Sequence, residues 1–251
     1  MSDYIDINKE TINRWIDDGW QWGQPIDHDT FVRAQAGDYT LLLTPTVPVP
    51  RAWIGDLTGK KVLGLASGGG QQGPILTALG AEVTIIDFSD QQLASEQLVA
   101  KREGYRITTI QADITQPLPF ADDTFDLIVH PVSNVYMEHV LPIWQEAARV
   151  LKPGAEILSG LDNGVNFMAD NDEEHIINQF PFNPLIHPEQ MAQLEADDSG
   201  VQFSHTLVDQ IGGQLKAGLQ LRDLYEDTNG EGRLHELNIP TFFATRSQKP
   251  A

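Results

Sequence analysis

Cysteine is absent from the 251 residues. Disulfides, thiolate nucleophiles, cysteine–zinc sites and iron–sulfur clusters are therefore excluded, and no metal site is expected. Positive charge is scarce: 16 Lys and Arg stand against 36 Asp and Glu, a formal net charge of −20. Nucleic-acid binders draw much of their affinity from cations that neutralise phosphates, so no nucleic-acid partner is expected. The acidity reads first as a solubility surface. Long apolar runs are also missing. No stretch approaches the ~20 residues of a membrane helix, and no basic amphipathic helix offers itself to anionic lipid. The start, Met1-Ser2-Asp3-Tyr4-Ile5-Asp6, lacks the apolar core of a signal peptide. The expectation is a cytoplasmic protein, monomer or homodimer, with no membrane partner.

The apolar fraction, 41%, suffices for a folded core. Residues 1–60 are amphipathic, aromatic and Pro-rich, and are expected to form a helical and extended cap. Ile12, Trp15 and Ile16 share one helix face. Thr44-Pro45-Thr46-Val47-Pro48-Val49-Pro50 predicts an extended connector, because each Pro biases its predecessor away from helix.

From Lys61 strands and helices alternate. Strands are predicted at 62–66, 82–87, 107–112, 126–130 and 157–159, and helices between them. Ser89-Asp90-Gln91-Gln92 has the form of a capping box in which Ser89 and Gln92 each satisfy a free backbone N–H, opening a helix to about Glu103. Such βαβ alternation implies an α/β fold with a parallel sheet and helices on both faces. Ligands then bind beyond the carboxyl ends of the strands, where Asp87, Asp113 and His130 stand. Residues 162–200 lose the rhythm and turn polar, which reads as a functional insertion or lid. A helix from Thr206 to Ala217 and two strands follow, so 61–251 is expected to be one ligand-binding domain carrying that insertion.

Ala66-Ser67-Gly68-Gly69-Gly70-Gln71-Gln72-Gly73 links the first strand to a helix. Glycines let backbone approach a ligand, and the helix start offers free N–H groups to a carboxylate or phosphate. Gly68, Gly70 and Gly73 also fit the dinucleotide pattern G-x-G-x-x-G. Asp87 can accept from both hydroxyls of an adenosine ribose under either reading; its structural alternative is an acid at a helix start. Asp113 can accept from an adenine amino group, with Ile114 against the ring; its alternative is a turn residue before Pro117.

Taken in order, Ala66-Ser67-Gly68-Gly69-Gly70, Ile86-Asp87-Phe88-Ser89, Gln111-Ala112-Asp113-Ile114, Phe125-Asp126-Leu127-Ile128 and Arg149-Val150-Leu151-Lys152-Pro153-Gly154 resemble a class I S-adenosylmethionine-dependent methyltransferase. The resemblance is strong over about the central two-fifths of the chain and is nearest the small-molecule branch that includes ubiquinone- and menaquinone-biosynthesis-like enzymes. Leu65 to Gln72 and His130-Pro131-Val132-Ser133-Asn134 resemble a bacterial subgroup of it. The resemblance implies a Rossmann-like, doubly wound, mostly parallel seven-stranded sheet whose last strand is antiparallel. It implies S-adenosyl-L-methionine as cofactor, with contacts from Ala66, Ser67, Gly68, Gly70, Asp87, Phe88, Gln92, Asp113, Ile114 and the His130 region. Two departures stand out. Gly64 replaces the usual acid and Ala66 the usual Gly, so another residue must anchor the methionine amino group.

Methyl transfer from a sulfonium depends chiefly on alignment, while an oxygen nucleophile can need a general base. His130 and His205 are the candidate bases; each also reads as structural. His139, beside Glu138, reads as structural, and Tyr136 either lines the pocket or packs. Three classes stay open: methyl transfer to a small-molecule acceptor, an NAD(P)-dependent oxidoreductase, and a non-catalytic S-adenosylmethionine-binding protein. No Tyr-x-x-x-Lys pair follows the fourth strand to favour the second.

Overall fold

A computed structural model describes residues 4–251; Met1-Ser2-Asp3 of the acidic start lie outside the described residues. The chain opens with helices α1 (Tyr4–Asp17), α2 (His28–Gln35) and α3 (Arg51–Ile54). Then come β1 (Lys61–Leu65), α4 (Gln72–Ala78), β2 (Glu82–Asp87), α5 (Asp90–Glu103), β3 (Thr108–Gln111) and β4 (Phe125–His130). The second half holds α6 (Leu141–Val150), β5 (Leu151–Asp162), α7 (Pro188–Ala196), α8 (Leu207–Lys216), β6 (Gln220–Asp227), α9 (Gly232–Glu236) and β7 (Phe242–Gln248).

The seven strands form one sheet in the order β3-β2-β1-β4-β5-β7-β6. β1 pairs in parallel with β2 and β4, and β7 runs antiparallel to both β5 and β6. This is the doubly wound arrangement with a reversed last strand that the family resemblance implies. Successive side chains alternate between faces, and both faces are covered. Leu63, Leu65 and Ile128 pack with Ile143, Trp144 and Ala147 of α6 on one side. Val62, Ile85 and Val129 pack with Leu76 of α4 and with Trp53 and Leu57 on the other.

Three local expectations change. The capping box is half formed: Ser89 Oγ accepts from Gln92 N, but donates to Asn13 Oδ1 of α1 at 2.7 Å. The Gln92 side chain turns instead toward the glycine loop. β5 begins at Leu151, well before the predicted Ile157, because the Lys152-Pro153-Gly154 segment bulges within the strand between the Phe125 and Leu127 pairings. The polar stretch 162–200 contains α7, whose Leu194 is buried, as is the nearby Phe182.

The connector near residue 43 crosses the carboxyl edge of the sheet. Val132 N donates to Leu43 O at 3.1 Å, and a Cβ at Gly160 of β5 would lie 1.9 Å from that same oxygen. Only glycine permits this crossing. Farther along, Asp227 at the end of β6 accepts from Thr46 N at 2.8 Å and Val47 N at 2.9 Å, which fixes the connector's path.

Candidate functional site

β1 ends at Leu65, and the chain turns sharply through Ala66, φ 47°, into the glycine loop, where Gly69 and Gly70 have φ of 100° and 71°. The loop's amides are not free as expected. Gly68 N donates to Asp87 Oδ2 at 3.0 Å, Gly69 N to Gln92 O at 2.9 Å and Gly70 N to Glu96 Oε1 at 2.8 Å. The spacing of the glycines is set by protein neighbours. A Cβ on Gly68 would meet Gln92, on Gly70 Pro25 and on Gly73 Glu96, each under 3 Å. That packing explains the G-x-G-x-x-G match without a pyrophosphate. At Gly64, where an acid is usual in the resembling family, Ile85 Cδ1 occupies the side-chain space.

Asp87 ends β2, and its carboxylate is nearly inaccessible. Oδ2 accepts from Gly68 N and Oδ1 from Ser89 N at 3.0 Å. Each oxygen keeps a lone pair for a further donor. Burial pushes its pKa up to about 6, against the pull of these amides. Below the loop, burial pushes Glu96 up to about 8, with the Asp87 charge adding to the effect. Its Oε2 has no partner, and the raised pKa favours the neutral acid at neutral pH.

A cavity of about 520 Å³ opens over the carboxyl ends of the strands. At one end stand Ala66, Gly68, Asp87, Phe88 and Gln92. Gln92 Oε1, buried at this wall, has no partner. Ala66 and Phe88 also border a smaller recess with Asp113, Ile114 and Tyr136. Asp113 spends both oxygens on Thr115, which donates through N at 2.8 Å and through Oγ1 to either oxygen. It is thus a turn-forming acid that still borders the recess. Ser67 is buried and Gly70 packs on Pro25; neither lines the cavity.

Neither candidate histidine reaches the cavity. His130 is fully buried, with Nδ1 2.8 Å from Leu65 O and Nε2 2.9 Å from Asn134. Burial lowers its pKa, so the ring is neutral. Nδ1–H serves Leu65, and Nε2 then needs the Asn134 NH2 group. Turning that amide, and Gln210 behind it, also gives Gln210 Nε2 the partner it otherwise lacks. His130 therefore ties β4 to β1 and has no nitrogen left for a substrate. His205, also buried with a lowered pKa, is held by Asn134 O at 3.0 Å. His139 is exposed beside Glu138, and Tyr136 both lines the cavity and is pushed above its ordinary pKa by burial.

The cavity's other end holds Asp162, Asn166, Phe167 and Phe242. Sequence reading missed Asp162. It ends β5 as Asp87 ends β2, a parallel that was available. It is 3% exposed, accepts from Gly164 N and from Asn166 Nδ2 at 2.8 Å, and is pushed up to about 7 by burial. Ile12, Trp15, Trp20 and Trp22 from the N-terminal segment, with Gln193, Leu194 and Asp197 from around α7, complete the wall.

A methyltransferase-domain pattern matches residues 63–159. Over 256 aligned residues the chain is 37% identical to "Uncharacterized methyltransferase YbaJ" of Bacillus subtilis, covering 99% of this chain and all of the relative. It is 33% identical to the demethylmenaquinone methyltransferase of Clavibacter sepedonicus over 42% of each chain. A solved S-adenosylmethionine-dependent methyltransferase from Mesorhizobium loti shares the fold, with TM-score 0.62 at 19% identity over 79% of this chain and 95% of that one.

Proposed function

This chain belongs to the class I S-adenosylmethionine-dependent methyltransferases, and from that membership we propose that its acceptor is a small molecule enclosed in the cavity over the sheet edge. The cofactor is S-adenosyl-L-methionine, which supplies a methyl group already activated on a sulfonium. The single observation that carries the site assignment is the Asp87 carboxylate at the cavity wall, held by one backbone amide on each oxygen. Each oxygen keeps a lone pair for a ligand hydroxyl, and such a hydrogen bond to a charged group is worth about 1.5–3 kcal/mol.

On this reading Asp87 accepts the ribose hydroxyls with its remaining lone pairs, and Gln92 takes a third donor. Phe88 and Ile114 flank the adenine beside Asp113. Ala66 and Gly68 form the floor between the two ends. His130 acts as a positioning residue that holds β4 against β1. The part of residues 1–50 that the structure describes and residues 162–200 form a cover that keeps water from the reacting atoms. Support for the cover comes from Trp15, Trp20 and Leu194 in the cavity wall and from the clamp between Asn8 and Val201 described below. No Lys or Arg lines the cavity among the described residues, which disfavours nucleic acid and anionic headgroups as acceptors. No helix among the described residues is long and apolar enough to cross a membrane.

Calorimetry with S-adenosylhomocysteine and NAD tests the site: the former is expected at micromolar affinity, and tighter NAD binding would refute the assignment. Hydrogen exchange tests the cover. Protection by S-adenosylhomocysteine is expected in both flanking segments, and protection confined to 62–114 would remove the cover.

A further inference from the structure

The charge of the cavity wall selects among acceptors. Asp87, Asp162 and Asp197 face the space, and no Lys, Arg or His does so among the described residues. An anionic acceptor would meet like charge in a site of low dielectric, where repulsion is strong. A carboxylate or phosphate acceptor is therefore disfavoured.

Asp162 narrows the choice further. Its two donors, the Gly164 amide and the Asn166 side chain, are neutral. A buried carboxylate gains most from a cation, and none of the described residues supplies one. β5 lies two strands beyond β1 in the sheet, roughly 10 Å at the usual strand spacing, and one strand farther still from Asp87. Asp162 is thus separated from the residues assigned to the ribose and adenine. Two aromatic rings, Phe167 and Phe242, stand in the wall at this end, and aromatic faces attract cations.

Resting on the methyltransferase reading, we propose that the acceptor is an amine on an apolar or aromatic body and that Asp162 pairs with its nitrogen and takes its proton. The ammonium form of the amine donates a proton to the Asp162 carboxylate, which becomes a carboxylic acid. The freed nitrogen lone pair forms the new N–CH3 bond as the C–S bond breaks, with the C–S electron pair remaining on sulfur. Nitrogen carries the positive charge that sulfur loses, and Asp162 returns its proton to water when the product leaves. The raised pKa of Asp162, about 7, suits a group that must hold a proton through one turnover. Asn166 Nδ2 and Gly164 N keep the carboxylate in place while it does so.

The test uses the full chain saturated with S-adenosylhomocysteine and three skeletons, indolyl, phenyl and cyclohexyl. Each carries a two-carbon chain ending in an amine, a hydroxyl or a carboxylate. Binding is measured by calorimetry, and methylation with S-adenosylmethionine by mass spectrometry. The expected result is that an amine member binds at least about tenfold tighter than its hydroxyl and carboxylate partners. Asp162→Asn should erase that preference while S-adenosylhomocysteine affinity stays as in the parent and thermal unfolding stays cooperative. Equal binding within every trio, binding by none of the nine probes, or a preference that survives Asp162→Asn overturns the proposal. Failure of S-adenosylhomocysteine itself to bind is a separate result that overturns the methyltransferase site assignment beneath it.

Discussion

At the Asp87 end of the cavity the strand-end and loop residues come from one run of chain, Ala66 to Gln92, whose glycine-loop amides are satisfied within that run or by the adjoining α5, with Trp22 and Pro25 packed against its outside. At the Asp162 end the wall is assembled from the connector near Thr44, the end of β5, the 166–202 segment and the start of β7. The first end is a rigid local motif and the second a meeting of distant pieces. Local motifs keep their geometry when a partner segment drifts; assembled walls can change composition one segment at a time. A methyltransferase can therefore keep its cofactor end while the acceptor end is remade.

The sharpest way to separate the two ends is Asp87→Ala. Hydrogen bonds to a charged group are worth about 1.5–3 kcal/mol, so S-adenosylhomocysteine affinity should fall about tenfold to a hundredfold, read by calorimetry. An unchanged dissociation constant in the folded variant would reduce Asp87 to a helix-start acid. Next in size is Gly160→Ala, which drives a Cβ into Leu43 O. The displaced connector should cost about 1–3 kcal/mol, or about 2–4 °C of thermal midpoint per kcal/mol in a chain of this size. Affinity for S-adenosylhomocysteine should hold; a drop as large as that of Asp87→Ala would mean that the two ends are one mechanical unit.

Glu96 gives a smaller, pH-dependent effect. Its folded pKa, about 8, lies above its ordinary 4.5. Between those values the folded chain binds more protons than the unfolded one, so stability falls as pH rises, with a slope of up to about 1.4 kcal/mol per pH unit. Asp87 and Asp162 add the same sign over narrower windows, to about 6 and about 7. Glu96→Gln should flatten the decline of thermal midpoint between pH 5 and about pH 8 and be the more stable protein at the upper end. An unaltered slope would show that Glu96 does not titrate in this window. The smallest effect is expected at the exposed Arg14–Asp198 pair, 2.6 Å apart, which links α1 to the segment after α7. Arg14→Ala should cost about 0–1 kcal/mol in thermal unfolding; a larger loss would make the pair a principal fastening of the Asp162 end.

How far the sequence revealed these ends follows from the same contrast. Glu82–Asp87 and Asp90–Glu103 match the predicted strand and helix because apolar runs, the Ser89 cap and Gly104 are local signals. The strand count and the reversed last strand came from the family resemblance, since β5 pairs with a strand some ninety residues away and no local pattern encodes that. Helix α7 was hidden because only Gln190 and Leu194 of it are buried, too few to make a stripe. His130 drew attention by standing at a strand end, yet its burial and its ties to Leu65 and Asn134 are tertiary facts. Asp162 was overlooked because an acid before Asn163-Gly164 also reads as an ordinary turn.

The Asn8 clamp has a consequence for how the molecule is made. Asn8 Nδ2 donates to Val201 O at 2.9 Å, and Val201 N donates back to Asn8 Oδ1 at 2.7 Å. The two residues are separated by 193 positions. During synthesis α1 can rest on α5 through Asn13 and Ser89, yet its Asn8 clamp cannot close until residue 201 has followed. Strands β1 to β4 and the glycine loop are complete long before that moment. Closing so long a loop is entropically costly and comes after the local contacts. α1 is thus fully fastened only after residue 201 has emerged, later than the strands that carry the glycine loop.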